Sequence, residues 1–412
     1  MSFSKISVLG IIFGFVINAN ISAQQSPSDY LLTAFEAGNT QALEAQLVFL
    51  SPNPYRLPLA EEIELRYSNN ENTLEDARYR LRLRPNNPWK IRRNNALFNA
   101  LEKELSIEQQ LIFKENLYDR YHTLLEYIFA SKKTALLEQR YQLVSKKLAL
   151  FRENPQAELF DARDFVDAKL ETVERLEEWE EANNEFINIQ REIQLTLNST
   201  DLEWQKFELI STDQIIELSK QLLAESLPST ELQLLQQRIE VAKIETSKER
   251  ADFDIGFVEA RIAPNLQNDD NELGFAFGIT IPIFRDNKDQ IAERILDEIE
   301  LREEYSDEAS KDSVMKVLEF QFLQVQLSQH QKLKESVRKT NVDVLGDNLA
   351  RSEAYNPIAL LELEEGKLKL EQLLMRSQER VLEQFVEVLF IYDAMLSKPL
   401  TNYLHKDLEI IE

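Results

Sequence analysis

Along most of this chain, apolar residues recur every three or four positions, and in two short places they recur every second position. From residue 91 to 152 there is neither proline nor glycine, and Leu97, Leu101, Leu105, Leu111, Leu117, Tyr121, Leu124 and Ile128 mark a helical stripe. Ile112, Phe113, Tyr118, Leu125 and Phe129 broaden it. The pattern predicts one helix of roughly 90 Å, buried on more than one side, as in a wall of helices. Glu153-Asn154-Pro155-Gln156 interrupts it, and residues 157–197 supply a return helix of about 60 Å. A short turn makes the two antiparallel neighbours. A second such pair runs from 289 to about 347, breaks at Tyr355-Asn356-Pro357 and returns over 358–396. Shorter helices fall at 212–225 and 229–250, the latter capped by Ser229 or Thr230.

The period of two marks strands. Ile63, Leu65 and Tyr67 alternate with Glu62, Glu64 and Arg66; beyond a polar tip, Ala77, Tyr79, Leu81 and Leu83 alternate with Arg78, Arg80, Arg82 and Arg84. Four arginines on one face require water, so neither a core nor lipid lies there. In the second hairpin Phe253, Ile255 and Phe257 alternate with Asp254, Gly256 and Val258, and the tip spans 264–272. Residues 274–284 then oppose Phe275, Phe277, Ile279, Ile281 and Ile283 to Gly274, Ala276, Gly278, Thr280 and Pro282. A strand with one bulky apolar face, in a chain this helical, calls for partners that include other copies of the same chain.

The order strand, polar tip, strand, proline, long helix, Asn-Pro break, shorter helix occurs twice. Pro85 and Pro282 stand 197 residues apart, and Asn154-Pro155 and Asn356-Pro357 stand 202 apart. Punctuation at a nearly constant offset indicates a duplication. The predicted organisation is a signal peptide over 1–23, a first repeat over 24–200 (strand hairpin 62–85, helical hairpin 91–197) and a linker over 201–228. A second repeat covers 229–396 (strand hairpin 253–284, helical hairpin 289–396), and 397–412 form a tail.

Composition narrows the function. The formal net charge of −25 opposes nucleic acid as a partner. There is no cysteine, and His122, His330 and His405 lack ligand spacing, so neither a disulfide framework nor a zinc site is expected. No cofactor is indicated. The N-terminus carries one lysine, an apolar run over 6–17 and a small residue at Ala23, which reads as a secretory signal cleaved near Ala23. No later segment holds about 20 consecutive apolar residues, so a membrane would be met as a β-barrel or peripherally.

The chain resembles the TolC-type outer-membrane efflux proteins, or outer membrane factors. Residues 274–291 carry the resemblance, with a strand ending in Pro282-Ile283-Phe284 and passing through Arg285-Asp286-Asn287-Lys288 into a long helix. The helix break over 354–365 and the linker over 195–234 are similar too. The resemblance implies a mainly α fold with a small β part. Long antiparallel helical hairpins would form a trimeric α-barrel tunnel, and four strands per protomer would join a shared 12-stranded transmembrane β-barrel. An open four-stranded sheet cannot sit in lipid with unpaired edges, so trimerisation would be obligatory. Phe275, Phe277, Ile279 and Ile281 would face lipid, and Arg78, Arg80, Arg82 and Arg84 the lumen. Trp89 and Phe284 would lie at the membrane interface. The tip turns at Asn154, Pro155, Asn356 and Pro357 would meet a periplasmic adaptor (membrane fusion) protein and, through it, an inner-membrane pump.

A closed tip constricted by acidic rings is also implied, and Asp347, Glu362, Glu364 and Glu365 are the candidate gate carboxylates. A three-fold ring of any one would favour cations and respond to salt and pH. Solvated helix faces are the alternative for each. The chain departs from the family pattern in its proline-interrupted first helix, its short charged first hairpin and the lack of a glycine at the first break. No catalytic constellation occurs, so an enzyme is not expected. The function implied is export of small molecules or ions from the periplasm of a Gram-negative bacterium. The same fold serving type I protein secretion is an alternative. A soluble periplasmic coiled-coil or adaptor protein is another, although an adaptor would flank one helical hairpin with a β-rich lipoyl-like module.

Overall fold

The computed structural model describes residues 25–50, 57–68, 78–153, 161–199, 202, 204, 207–224, 228–264, 271–280, 288–351 and 357–411. Helix α3 (Pro88–Glu153), with 66 residues, extends about 100 Å. Along it pack the short N-terminal helices α1 (Pro27–Leu32) and α2 (Gly38–Leu50), then α4 (Ala162–Leu197), α6 (Thr230–Ala251) and α9 (Pro357–Ile391). Helix α7 (Lys288–Thr340) packs on α6 and α9, and α5 (Thr212–Ala224) leads toward α6.

Several helix ends differ from the periodicity; α9, expected to reach 396, stops at Ile391. Helix α4 begins at Ala162 because the Asp161 side chain accepts the backbone N–H of Arg163 at 2.7 Å, a cap that fixes the start. Helix α7 stops at Thr340, since Asn341 takes the left-handed conformation (φ 47°, ψ 44°), and α8 (Val342–Ala350) resumes beyond it. Asparagine tolerates that conformation better than most residues, and a hydrophobic count carries no trace of it.

Four strands form one antiparallel sheet in the order β1 (Ala60–Ser68), β2 (Arg78–Pro85), β3 (Phe257–Pro264), β4 (Asn271–Gly278). Strand β3 starts at Phe257, not at Phe253, and β4 ends at Gly278, so Ile279 and Thr280 follow the strand. The cause is Gly256, whose φ of 110° breaks the alternation read from Phe253 through Phe257. Its N–H is held by Asp254 Oδ1 at 2.7 Å. A Cβ at Gly256 would stand 1.8 Å from the Gly278 carbonyl oxygen, so glycine permits the strand entrance to cross the end of β4.

The run Pro85-Asn86-Asn87-Pro88 is the joint between sheet and helix. Asn86 donates its side-chain amide to Pro58 O at 2.7 Å and its backbone N–H to Leu59 O at 2.9 Å, holding the entrance of β1. Asn87, buried, accepts Trp89 N–H at 3.0 Å, capping α3. Its amide donates to Ala251 O at 2.8 Å and Phe253 O at 3.2 Å, so one side chain ties the start of α3 to the exit of α6. Pro88 then occupies the first helical turn, where no N–H is needed.

The main core surrounds the middle of α3: Tyr121, Leu124, Leu125, Tyr127 and Phe129 pack with Val381, Phe385, Val388 and Leu389 of α9. The C-terminal residues, expected as a simple tail, enter this core. Beyond a short helical turn, β5 (Thr401–Asn402) pairs with β6 (Glu409–Ile410), and Leu400 and Leu404 are buried. Tyr121 donates to Thr401 O at 2.9 Å and accepts Tyr403 N–H at 3.2 Å. Ser28 of α1 donates to Glu409 Oε2 at 2.5 Å and accepts from Asn402 at 3.1 Å.

A charged clasp closes the same level. Lys114, fully buried, reaches Asp393 Oδ1 at 2.8 Å and Glu231 Oε1 at 3.0 Å and lies 4.1 Å above the Phe390 ring. The other Asp393 oxygen accepts the backbone N–H (2.5 Å) and hydroxyl (2.9 Å) of Thr230, so α3, α6 and the end of α9 share one ionic group.

Gly256→Ala should lower unfolding stability by at least about 3 kcal/mol. Gly38→Ala, where nothing lies within 4 Å, should change it by less than about 1 kcal/mol; denaturant titration followed by circular dichroism compares the two. Lys114→Met should cost about 3 kcal/mol by stranding the Asp393 carboxylate. In the same titration Lys114→Met/Asp393→Asn, which removes the charge and keeps an acceptor for Thr230, should recover part of that loss.

Candidate functional site

The sheet separates the residues of its four strands onto two unlike faces. The register places Ile63, Leu83, Val258 and Phe277 in one row, Leu65, Leu81, Ala260 and Phe275 in the next, and Tyr67, Tyr79, Ile262 and Leu273 in a third. All twelve positions are apolar or aromatic. They are also uncovered: Leu65 is 76% exposed, Phe275 75% and Phe277 81%. Alternation within each strand and antiparallel register between strands together make one continuous apolar face.

The opposite face is ionic. Its rows run Glu64, Arg82, Glu259, Ala276 and Arg66, Arg80, Arg261, Gly274. Glu259 is its hub, with its side chain 0% exposed. It pairs with Arg80 at 3.2 Å and Arg82 at 2.9 Å, and with Arg261 two residues along the same strand. Glu64 pairs with Arg66 at 2.7 Å and Arg82 at 3.9 Å, and Glu62 with Arg84 at 3.0 Å. The Arg82 guanidinium also lies 4.1 Å from the centre of the Phe257 ring. Phe257 thus belongs to the ionic face and not, as its spacing from Phe253 and Ile255 implied, to the apolar one.

The sequence pattern points to Arg78, Arg80, Arg82 and Arg84 on this face but misses Glu259 and Arg261, because it starts the strand at Phe253, four residues ahead of β3. The alternation Val258, Ala260, Ile262 against Glu259, Arg261 carried the missing signal. Phe275 and Phe277 lie on the apolar face; Ile281 and Phe284 fall outside the described residues. Trp89, 63% exposed, stacks on Phe253 at 6.3 Å beside the sheet–helix joint.

At the far end of the helices, Asn154, Pro155 and Asn356 also fall outside the described residues, and Pro357 is the first residue of α9. Of the four acidic candidates, Glu365 is buried and held by Lys369 (2.9 Å), Arg140 (3.4 Å) and Arg175 (3.9 Å), which joins α3, α4 and α9. Burial pushes its carboxyl up, but Lys369 and Arg140 more than offset this and hold it below the ordinary carboxylate range. Glu362 pairs with Lys147 at 2.9 Å. Asp347 and Glu364 are exposed. The four therefore do not share one environment. Among the described residues no group of acidic or histidine side chains has metal-binding proximity, and no helix is long and apolar enough to cross a membrane.

No protein-family model matches the chain, and no curated protein sequence does either. Solved structures do. The chain is similar to VceC, an outer membrane protein of Vibrio cholerae, at 12% identity and a TM-score of 0.63, with 89% of this chain and 95% of that one covered. It is similar to the open state of the MtrE outer membrane channel of Neisseria gonorrhoeae, at 12% identity and a TM-score of 0.62 over 89% and 88%. The Campylobacter jejuni CmeC outer membrane channel is matched at 12% identity and a TM-score of 0.58 over 94% and 85%. Across nearly its whole length, the chain has the fold of the TolC-type outer membrane factors.

Proposed function

We propose that this chain is one protomer of a homotrimeric outer-membrane channel that exports small molecules or ions from the periplasm. It works with a periplasmic adaptor and an inner-membrane pump and catalyses no reaction itself. The observation that carries this is the sheet. Four strands bear an uninterrupted, uncovered apolar face on one side and an arginine–glutamate face on the other, which suits a barrel wall between lipid and water. Strands of 9 and 8 residues are close to the ~9 to 11 of a spanning strand. With β1 and β4 at open edges, three copies would close a 12-stranded barrel.

The helices support the same assembly. On α7, Val314, Leu318, Phe322 and Val325 form an uncovered stripe at helical spacing, and on α4 Val166, Leu170 and Val173 form another. Neighbouring protomers would cover both in a tunnel wall. In this reading Phe275 and Phe277 face lipid, the arginines face the lumen, and Trp89 sits at the interface. The tip of α8 and α9 is the gate, with Asp347 and Glu364 as its free carboxylates. The signal peptide, cleaved near Ala23, directs secretion. The domain division proposed is the duplicated one, each repeat giving one strand hairpin and one helical hairpin.

The first test is fractionation, unheated gel electrophoresis and bilayer conductance of the purified protein. Outer-membrane trimers that conduct are expected, and a soluble periplasmic monomer would overturn the proposal. Phe277→Arg should sharply reduce membrane-inserted trimer, since a charge at mid-lipid costs ~2 to 4 kcal/mol per copy; normal trimer yield would place that face elsewhere. Glu365 contributes stability above the ordinary glutamate range, near pH 4, and loses it as pH falls through its lowered value. Glu365→Gln should therefore lower the Tm at neutral pH, and the gap to the parent should close below about pH 4. A gap that persists in acid would assign Glu365 no ionic role.

A further inference from the structure

The ionic face of the sheet is not charge-balanced. Five arginines, Arg66, Arg80, Arg82, Arg84 and Arg261, share three carboxylates, Glu62, Glu64 and Glu259. At the hairpin end of the same face the register adds Arg78 and Glu272, one charge of each sign. At the paired positions of the described strands, six arginines then face four carboxylates, in a chain whose net charge is −25.

The excess is ordered. Arg66, Arg80 and Arg261 stand side by side on three adjacent strands, about 4.8 Å apart, an arrangement of like charges that weakens a sheet. The fourth position of the row is Gly274, which has no side chain to cover them. The Arg66 and Arg261 side chains are more than half exposed. Glu259 orients Arg80 and Arg261 from beneath without neutralising both. A guanidinium so held keeps N–H groups free for carboxylate, sulfonate or phosphate oxygens.

We propose that this arginine row is an anion-recognising collar in the channel lumen, and that the exported solutes include small organic anions bearing carboxylate, sulfonate or phosphate groups. The inference rests on the trimeric channel reading. Three copies bring nine guanidinium groups to one stretch of the barrel lumen, and rings of arginine or lysine select anions. An acidic gate at the opposite end of the tunnel would act in the other direction. The decisive quantity is therefore the change produced by substitution, not the wild-type ratio.

Reversal potentials in a KCl gradient across planar bilayers measure the chloride-to-potassium permeability ratio. R66Q/R80Q/R261Q should lower that ratio severalfold while still running as a trimer on unheated gels, and R66K/R80K/R261K should keep it near the parent value. An unchanged ratio in the glutamine variant would overturn the collar and leave the channel intact, whereas absence of conductance from the wild-type protein would overturn the channel reading itself. Should the glutamine variant fail to assemble, the wild type decides. Tripolyphosphate added to each side in turn should block its conductance from one side at low ionic strength, with block fading as salt is raised. Lack of block from either side would refute the collar.

Discussion

An antiparallel sheet of four strands has two edges, and here it also has a face that its own chain does not cover. Among the described residues, no strand neighbours the outer edges of β1 and β4, and no core covers the apolar face. In water both are liabilities of the kind that soluble proteins remove with charges, bulges or a covering helix. This chain places its charges on the opposite face and its helices beyond the strand ends. The rest of the molecule serves to present that sheet in a fixed relation to α3. Asn87 joins sheet, α3 and the end of α6, Gly256 lets β3 cross β4, and Lys114 and Asp393 lock the helices at a common level.

The ionic clusters do different work in different settings. Lys114 is enclosed by helices and matched by two carboxylates, so its charge serves cohesion. Glu365 is likewise enclosed and oversupplied with cations, which keeps it ionised between three helices. On the sheet there is again more guanidinium than carboxylate, but there much of it is open to solvent. Burial with matched partners makes structure; exposure with a surplus leaves charge available to something else.

Much of this was readable from spacing alone. The long proline-free runs around Leu117 and Leu327 and the alternation of Tyr79, Leu81 and Leu83 with arginines each depend on local periodicity, which sequence displays directly. What stayed hidden depends on a single backbone angle or on residues far apart. The φ of Gly256 displaced β3 by four residues and with it the assignments of Phe257, Glu259 and Arg261. Asn341 ended α7 without any change in hydrophobic pattern. The pairing of Glu365 with Arg140 and Arg175 joins residues far apart in the chain, so a carboxylate that looks like helix surface in sequence is enclosed in space. The same holds for the C-terminal residues, whose buried Leu404 and Asn402 have no helical or strand period to announce them.

The contact between Arg82 and Glu259 joins residues 177 positions apart, and β2 meets β3 across the same gap. The first strand hairpin is therefore synthesised long before the carboxylate that organises its arginines, and before the strand that covers its inner edge. Contacts of such separation form late because a large loop must close first. The two halves of the chain are not independently folding units at this point. The N-terminal hairpin therefore stays unfinished until the second half of the chain has been made.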